Sequence, residues 1–236
     1  MPASVPRRAS VDDPAADGPP DRLARTVGET DSMTTGTPDR PAPPAYAAIV
    51  LAGGTGRRLG GADKARLELA GRSFLDWALD ACAEAAEVVV VGPEPVEGSP
   101  DRAGVRWARE DPPGGGPAAG LLAGLDALRT SVGWVFVMAV DMPLVSRETV
   151  RRLLETAAGG DGAARDGAIL LGPDGRRQLA AVLDLEALAR ARPRQADGLP
   201  VHRLLAALDL REVAALDGEH ADVDTAADLD LLRRRD

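Results

Sequence analysis

The alternation of short apolar runs with amphipathic segments is the feature that most restricts the fold of this chain. From Tyr46 onward the apolar runs have the length of strands, and the segments between them carry apolar residues at helical spacing. The first run, residues 46–52, is apolar throughout, as expected for a strand that is covered on both faces. This order predicts one α/β, Rossmann-like domain with a mainly parallel sheet, without internal repeats.

The same patterns assign the individual elements. Ser146 is placed to cap the helix that follows it, and Pro117 suits the first turn of another. Helices are predicted over 74–86, 117–130, 147–158, two runs after 184, and from about 225. Strands are predicted at 46–52, 87–91, 104–108, 134–141, 167–171, 178–184 and 211–216, with a short extended piece at 64–69 and a hairpin turn at 173–175.

The first 44 residues differ in composition from the rest of the chain. They hold nine of its 19 prolines and almost no apolar periodicity. This predicts a disordered N-terminal extension, residues 1–44, before a folded domain at 45–236. Met33 is an alternative first residue, in which case residues 1–32 are not translated.

Charge and cysteine content exclude several classes of function. Without the first 44 residues the chain has 23 basic and 30 acidic residues, a formal charge of −7, which gives no reason to expect nucleic acid or an anionic membrane as partner. Cys82 is the only cysteine, so an internal disulfide and a cysteine-rich metal site are excluded, and a cytoplasmic location is expected. Its helical spacing places Cys82 in the core. No apolar run reaches the ~18 residues that a membrane span requires.

The apolar run 46–52 leads into a glycine-rich segment that ends at Lys64, the only lysine among 28 basic residues. The chain contains no asparagine and only two isoleucines, which indicates strongly GC-biased coding, so a retained lysine is not expected by chance. A compact ammonium donates to a phosphate oxygen as a point charge, whereas a guanidinium prefers a two-pronged geometry. Lys64 is therefore predicted to contact a nucleotide phosphate; the alternative is a surface lysine.

Three kinds of nucleotide-binding loop compete for this segment. A Walker loop requires Ser or Thr after its lysine, but Lys64 is followed by Ala65. A dinucleotide-binding loop requires a third glycine where this chain has Leu59. The pattern LAGGxGxRLGxxDK after a buried strand fits at every position, and it is typical of nucleotidyltransferases that use nucleoside triphosphates.

Five segments together resemble the molybdenum cofactor guanylyltransferase family, and the match extends from about 46 to 232. They are LAGGTGRRLGG-DK, REDPPGGGPAAGLLAGLDAL, VFVMAVDMPLV, RRQLAAVL and DVDTAADL. The resemblance implies a nucleotide-diphospho-sugar transferase type of fold and a Mg²⁺-dependent enzyme. This enzyme would transfer GMP from GTP to molybdenum-bound molybdopterin and release pyrophosphate. Proteins that supply molybdopterin, and molybdoenzymes, are candidate partners.

The chemistry requires positioning and charge neutralisation rather than a protein nucleophile. Lys64, together with Arg57, is predicted to neutralise the β- and γ-phosphates as pyrophosphate leaves. Asp141 ends the strongest predicted strand and suits Mg²⁺; the resemblance places its metal-binding aspartate at this position. The alternative is that Asp141 only shapes the turn into Met142-Pro143.

Further nucleotide contacts follow from the resemblance. Asp111 is expected to contact the nucleotide, although a loop-capping role is the alternative. Leu51, Ala52, Gly53 and Gly54 are expected to offer backbone contacts to the base and phosphates, because glycines let the backbone approach a ligand.

Two departures from the family leave the base and product contacts open. The family can present an asparagine after the second strand, where this chain has Gly92-Pro93, and an asparagine-rich segment near the C-terminus is replaced by Asp222–Thr225. The alternatives to guanylyl transfer are the same chemistry with CTP or with another phosphorylated acceptor, and a noncatalytic carrier that binds nucleotide or cofactor.

Overall fold

The computed structural model describes residues 42–53, 63–93, 104–159 and 165–234. The N-terminal extension predicted for residues 1–44 lies almost wholly before the first range, and Gly54 and Arg57 fall between the first two. The predictions made for them therefore lie outside the described residues. Within the four ranges, no helix combines the length and the apolar character needed to cross a bilayer.

A seven-stranded mixed sheet is the centre of the fold, together with a small antiparallel hairpin. The strands of the large sheet are β1 (Tyr46–Leu51), β4 (Val88–Val91), β5 (Val105–Ala108), β6 (Trp134–Ala139), β7 (Gly167–Leu171), β8 (Arg177–Asp184) and β9 (Leu210–Ala214). Their order is β5-β4-β1-β6-β8-β7-β9. Only β8 is antiparallel to its neighbours, so the predicted α/β class with a mainly parallel sheet is confirmed. The hairpin pairs β2 (Glu68–Leu69) with β3 (Arg72–Ser73).

In the described ranges, six α-helices cover the two faces of the large sheet. They are α1 (Phe74–Ala81), α2 (Gly116–Ala127), α3 (Arg147–Ala158), α4 (Leu185–Arg190), α5 (Val201–Leu205) and α6 (Ala226–Arg233). Helices α1, α3 and α6 contribute to one apolar cluster, and α2, α4 and α5 contribute to the other. Strand β1 separates the clusters: Ala48 and Val50 belong to the first, and Ala47 and Ile49 to the second. A strand buried on both faces explains why the run has no polar alternation.

Several helix and strand boundaries match their sequence signals. Helix α3 begins and ends where predicted, and the Ser146 hydroxyl accepts a hydrogen bond from the backbone N–H of Thr149 at 3.3 Å. Strands β7 and β8 form the predicted hairpin, and its turn is stabilised by the Asp174 carboxylate, which accepts from the N–H of Arg176 at 3.0 Å. Such Asx contacts explain why aspartate marks turns in sequences.

Three predicted elements are corrected by the structure. Residues 64–66 form a 3-10 turn, not an extended piece, because the Asp63 carboxylate caps the N–H of Ala65. Helix α1 ends at Ala81, five residues early, since the chain turns and the Ala86 N–H donates to the carbonyl of Tyr46. Strand β6 ends at Ala139, so Asp141 lies in the following turn.

Helix α2 lies unusually close to the sheet at Gly124. A Cβ built at this residue would lie 2.7 Å from a methyl of Ile49 and 2.9 Å from a methyl of Val91. Replacing Gly124 with alanine should therefore lower the free energy of unfolding by about 1–2 kcal/mol, because overpacking of the core outweighs the better helix propensity. Urea unfolding followed by circular dichroism measures this difference.

Gly120, one turn earlier in α2, is the matched control. A Cβ there would meet Val91 and Leu51 at 3.6 and 3.8 Å, which are ordinary contacts. Gly120→Ala should leave stability unchanged or raise it by up to ~1 kcal/mol through helix propensity. Equal stabilities of the two variants would contradict the close packing inferred at Gly124.

Candidate active site

The carboxyl ends of the six parallel strands lie along one edge of the sheet. Strands β1, β4, β5 and β6 run in the same direction. Strand β8 is antiparallel to both β6 and β7, so β7 also runs in that direction, as does β9, which pairs in parallel with β7. The segments that follow the first four strands begin at Ala52, Gly92, Arg109 and Val140. Open α/β sheets bind ligands at this edge, so the predicted site residues that follow these strands share one side of the molecule.

The Lys64 ammonium bridges two carboxylates at this edge. Its Nζ donates to Oδ2 of Asp141 at 2.7 Å and to Oδ1 of Asp224 at 2.6 Å. The side chains of Lys64 and Asp141 are 17% and 18% exposed, and that of Asp224 is 45% exposed. The contact brings together two residues predicted from the sequence and a third that was not predicted as a site residue.

Backbone hydrogen bonds set the position of Asp141. The Val140 N–H donates to the carbonyl of Leu51 at 3.0 Å, which continues the β1–β6 contact beyond the strand. The Met142 N–H then donates to the carbonyl of Ala139 and closes a turn at Asp141. The backbone of Asp141 takes part in this turn, which is the alternative role predicted for the residue. Its side chain contacts Lys64.

Asp224 is held by a different element, the start of α6. The Val223 N–H donates to the carbonyl of Asp141 at 3.0 Å and so attaches this segment to the β6 turn. The Asp228 carboxylate accepts from the N–H groups of Asp224 and Thr225 at 3.1 and 2.7 Å. Thr225 and Asp228 form a reciprocal capping box at the helix start. The same motif that begins α6 therefore orients the backbone of Asp224.

The charges in this cluster affect one another's protonation. Burial alone would lower the pKa of Lys64, but hydrogen bonds to Asp141 and Asp224 outweigh it and raise the pKa above the usual lysine value. Asp222, whose side chain remains exposed, has a raised pKa because of partial desolvation and the neighbouring charges of Asp224 and Asp141. Among the described residues, the site therefore combines a firmly charged ammonium with three neighbouring carboxylates, Asp141, Asp222 and Asp224.

Three of the four predicted backbone contacts, at Leu51, Ala52 and Gly53, lie in described residues, and they stay predictions. The Ala52 N–H donates to the carbonyl of Val91 at 2.8 Å, so this N–H is already engaged within the sheet. Gly53 is exposed, and its φ lies outside the left-handed region. Among the described residues, the nearest atom to a Cβ built there is the Val91 oxygen at 4.0 Å. This part of the fold does not require glycine at the position, whereas close approach of a ligand to the backbone would.

Gly92, one of the two departures from the family, is constrained by packing. A Cβ at Gly92 would lie 3.1–3.3 Å from the Ala52 carbonyl and side chain. The Gly92 N–H donates to the carbonyl of Ala108 at 3.0 Å. Glycine here lets the β1 and β4 ends lie closely side by side, and it removes the side chain that an asparagine would present.

Asp111 lies at the same edge but away from Lys64. Strands β4 and β1 separate β5 from β6, so the edge segments of Asp111 and Asp141 are three strand spacings, or ~14 Å, apart. Asp111 is exposed and lines a cavity of about 490 Å³ with Gly115 and Arg109. This arrangement suits a ligand with its charged end at Lys64 and its other end near α2.

The hairpin turn between β7 and β8 also lies at this edge. Arg176 is exposed, and Arg177 pairs with Glu212 of β9 at 2.9 Å. Both side chains of this pair are more than 40% exposed, so it is a surface ion pair of small energetic weight. Arg177 is thereby engaged with a neighbouring strand.

Asp224 is the site residue that sequence reasoning did not assign. Its segment, Asp222–Thr225, was noted only as a departure from the family. One signal was present in the sequence. Thr225 and Asp228 have the spacing of a capping box, which marks the start of a helix directly after Asp224. The contact itself joins residues 160 positions apart and could not be read from local pattern.

The donor set of this cluster fits a divalent cation. One oxygen of Asp141 and one of Asp224 converge on a single cationic atom, the Lys64 Nζ. Mg²⁺ is commonly held by one or two carboxylates together with substrate phosphates and water. Among the described residues no group of three or more His, Cys, Asp and Glu side chains could hold a metal ion by itself. Substrate phosphates and water would complete the coordination of a cation at this pair.

Comparison with known proteins identifies the family. Residues 48–221 match the model of the MobA-like NTP transferase domain. The chain belongs to this family. The family predicted from the sequence is confirmed by a probable molybdenum cofactor guanylyltransferase of Opitutus terrae, which is 36% identical over 170 residues, covering 70% of this chain and 79% of the relative.

Other relatives match over a shorter region. A probable molybdenum cofactor guanylyltransferase of Methanosarcina acetivorans is 36% identical over 126 residues, 49% of this chain and 55% of the relative. The chain thus spans about half the length of several curated relatives that it matches. The crystal structure of Rv0371c from Mycobacterium tuberculosis has the same fold, with a TM-score of 0.63 at 22% identity over 82% of this chain and 100% of that one.

A buried carboxylate connects the α3 helix of this domain to the segment that leads to Asp224. Glu219 is 7% exposed. It accepts hydrogen bonds from the Thr149 hydroxyl at 2.6 Å and from the Leu216 N–H at 2.9 Å, and it pairs with Arg152. The Arg152 guanidinium also donates to the carbonyl of Ala214 at 3.1 Å. These contacts hold the loop after β9 against α3.

Replacing Glu219 with alanine should lower the free energy of unfolding by about 3 kcal/mol, because Arg152 would keep a largely buried charge without its partner. Thermal and urea unfolding measure the loss. Glu212→Ala is the control, since the Glu212–Arg177 pair is exposed and its removal should cost less than ~1 kcal/mol. Similar losses in both variants would show that the Glu219 network does not stabilise the loop.

Proposed function

We propose that this protein is a Mg²⁺-dependent guanylyltransferase that joins GMP from GTP to molybdenum-bound molybdopterin and releases pyrophosphate. The observation that carries the proposal is the Lys64 ammonium between Asp141 and Asp224 at the carboxyl edge of the sheet. The family membership and the names of the curated relatives support the choice of acceptor and nucleotide. We also propose that the protein acts in the cytoplasm.

The reaction forms one bond and breaks one. A phosphate oxygen of the molybdopterin attacks the α-phosphorus of GTP, and the bond from that phosphorus to the bridging oxygen of pyrophosphate breaks. Asp141 and Asp224 would hold the metal, which when bound neutralises charge on the phosphate oxygens. No serine, cysteine or histidine nucleophile is needed, since the attacking group belongs to the acceptor. The protein contributes alignment and electrostatic stabilisation.

The other residues have roles set by their positions. Lys64 would donate to the β- or γ-phosphate oxygens and stabilise the charge that develops on the leaving pyrophosphate. The Gly53 backbone would approach the phosphates, since no side chain stands in the way. Asp111 and the start of α2 would border the nucleoside, about three strand spacings along the edge. The proposal also includes phosphate binding by Arg57 and Gly54, as predicted from the sequence.

Magnesium-dependent pyrophosphate release tests the nucleotide and the acceptor together. We expect release with GTP and molybdenum-loaded molybdopterin, at a rate at least about tenfold above that with CTP; a tenfold preference corresponds to ~1.4 kcal/mol. Omission of the acceptor should abolish the release. Preference for CTP would make the protein a cytidylyltransferase, and nucleotide binding without release under any of these conditions would favour a carrier.

Asp141→Asn tests the assignment of the metal ligand. The amide keeps the size of the side chain but removes its negative charge, so kcat/KM should fall by roughly 100-fold or more with the fold unchanged. Glu186→Gln removes one negative charge from a side chain that is 91% exposed on α4, and it should keep normal turnover. An Asp141→Asn protein with normal kcat/KM would refute a metal-binding role for this residue.

A further inference from the structure

The Lys64 ammonium occupies the point on which one oxygen of Asp141 and one of Asp224 converge. Nζ lies 2.7 Å from Oδ2 of Asp141 and 2.6 Å from Oδ1 of Asp224. These are the distances of charge-assisted hydrogen bonds, in which both oxygens are directed at the ammonium. A Mg²⁺ ion lies ~2.0–2.1 Å from its oxygen ligands, so an ion held by these same two oxygens would lie close to the position of Nζ. The ion and the ammonium would then be neighbouring cations, which repel each other.

We propose that Lys64 is a resident counter-ion of the Asp141–Asp224 pair, and that a divalent metal ion and the Lys64 ammonium exclude each other there. This inference rests on the proposed function only in taking the pair to be the metal ligands. It adds an order to the binding events: Lys64 must leave the carboxylates before the metal occupies them.

The phosphates of the nucleotide provide the partner for the displaced ammonium. Lysine carries its charge on a flexible four-carbon stem, so the ammonium can move without a change of the backbone. Without ligands, two carboxylates pair with Lys64. With both ligands bound, the carboxylates pair with the metal and Lys64 pairs with a phosphate. Metal binding alone would leave the ammonium unpaired beside a dication, so the metal is expected to enter together with the nucleotide.

Arg66, two residues from Lys64, lies near a different carboxylate and serves as the comparison. Its side chain is 63% exposed and lies 3.4 Å from the Asp63 carboxylate within the same turn. Lys64 instead contacts carboxylates 77 and 160 positions away. The two cations carry equal charge and are close in sequence, so they separate direct competition from a general effect of net charge.

Binding of Mn²⁺ in the absence of nucleotide tests the inference, with the free ion followed by electron paramagnetic resonance. Lys64→Gln should bind Mn²⁺ at least about tenfold more tightly than the wild-type protein, a change of ~1.4 kcal/mol. Arg66→Gln removes the same charge and should stay within about twofold of wild type. Adding Asp141→Asn to Lys64→Gln should remove the gain. Circular dichroism checks that each variant is folded.

The outcomes distinguish this inference from the proposed function. Equal Mn²⁺ affinities of wild type and Lys64→Gln, or the same gain in Arg66→Gln, would overturn the competition. A selective gain in Lys64→Gln supports it even if the wild-type protein releases no pyrophosphate from any nucleotide. That last result would refute guanylyl transfer and leave the competition of lysine and metal intact.

Discussion

The pairing of β1 with β6 is the interaction on which the rest of the structure depends. All six residues of β1 are at most 9% exposed, and each is in register with a residue of β6. Because the strand is covered on both faces, a slip by one residue would exchange the side chains of the two apolar clusters. The register therefore fixes where both strands end. One backbone hydrogen bond beyond the last pair, from the Val140 N–H to the Leu51 carbonyl, sets Asp141 beside the end of β1.

The charged cluster depends on this frame and on two further elements. Lys64 comes from a capped 3-10 turn, Asp141 from the turn after β6, and Asp224 from the start of α6. Helix α6 is connected to the segments of both Asp141 and Lys64. Just before the helix, the Val223 N–H donates to the carbonyl of Asp141. At its C-terminal end, the Arg233 side chain donates to the carbonyl of Glu68. The Glu219 network holds the preceding loop. Hydrogen bonds from Lys64 stabilise the negative charges of Asp141 and Asp224 at this edge.

Much of the fold was accessible from the sequence because its signals are local. Unbroken apolar runs marked β1 and β6, and Ser146 marked the start of α3 at the correct residue. The errors have two sources. Helix α1 ends early because a long-range hydrogen bond joins the Ala86 N–H to the Tyr46 carbonyl. The lysine segment turns because the neighbouring Asp63 side chain caps it, a local contact that the apolar pattern does not show. For the site, the glycine motif and the strand end predicted Lys64 and Asp141 as candidate residues, while the contact of Asp224 with Lys64 had no local signature.

Sequence alone determined the class of fold and the family, and it predicted Lys64 and Asp141 as candidate site residues, since periodicity and motif spacing are properties of short segments. Tertiary structure decided which charges meet. The Lys64 ammonium could have contacted solvent, Asp63 or a distant carboxylate, and only the closure of the sheet and the docking of α6 bring Asp141 and Asp224 within 2.7 Å of it. Electrostatic contacts of this kind act over a few ångströms, so they depend on the final positions of segments that the sequence separates by 77 and 160 residues.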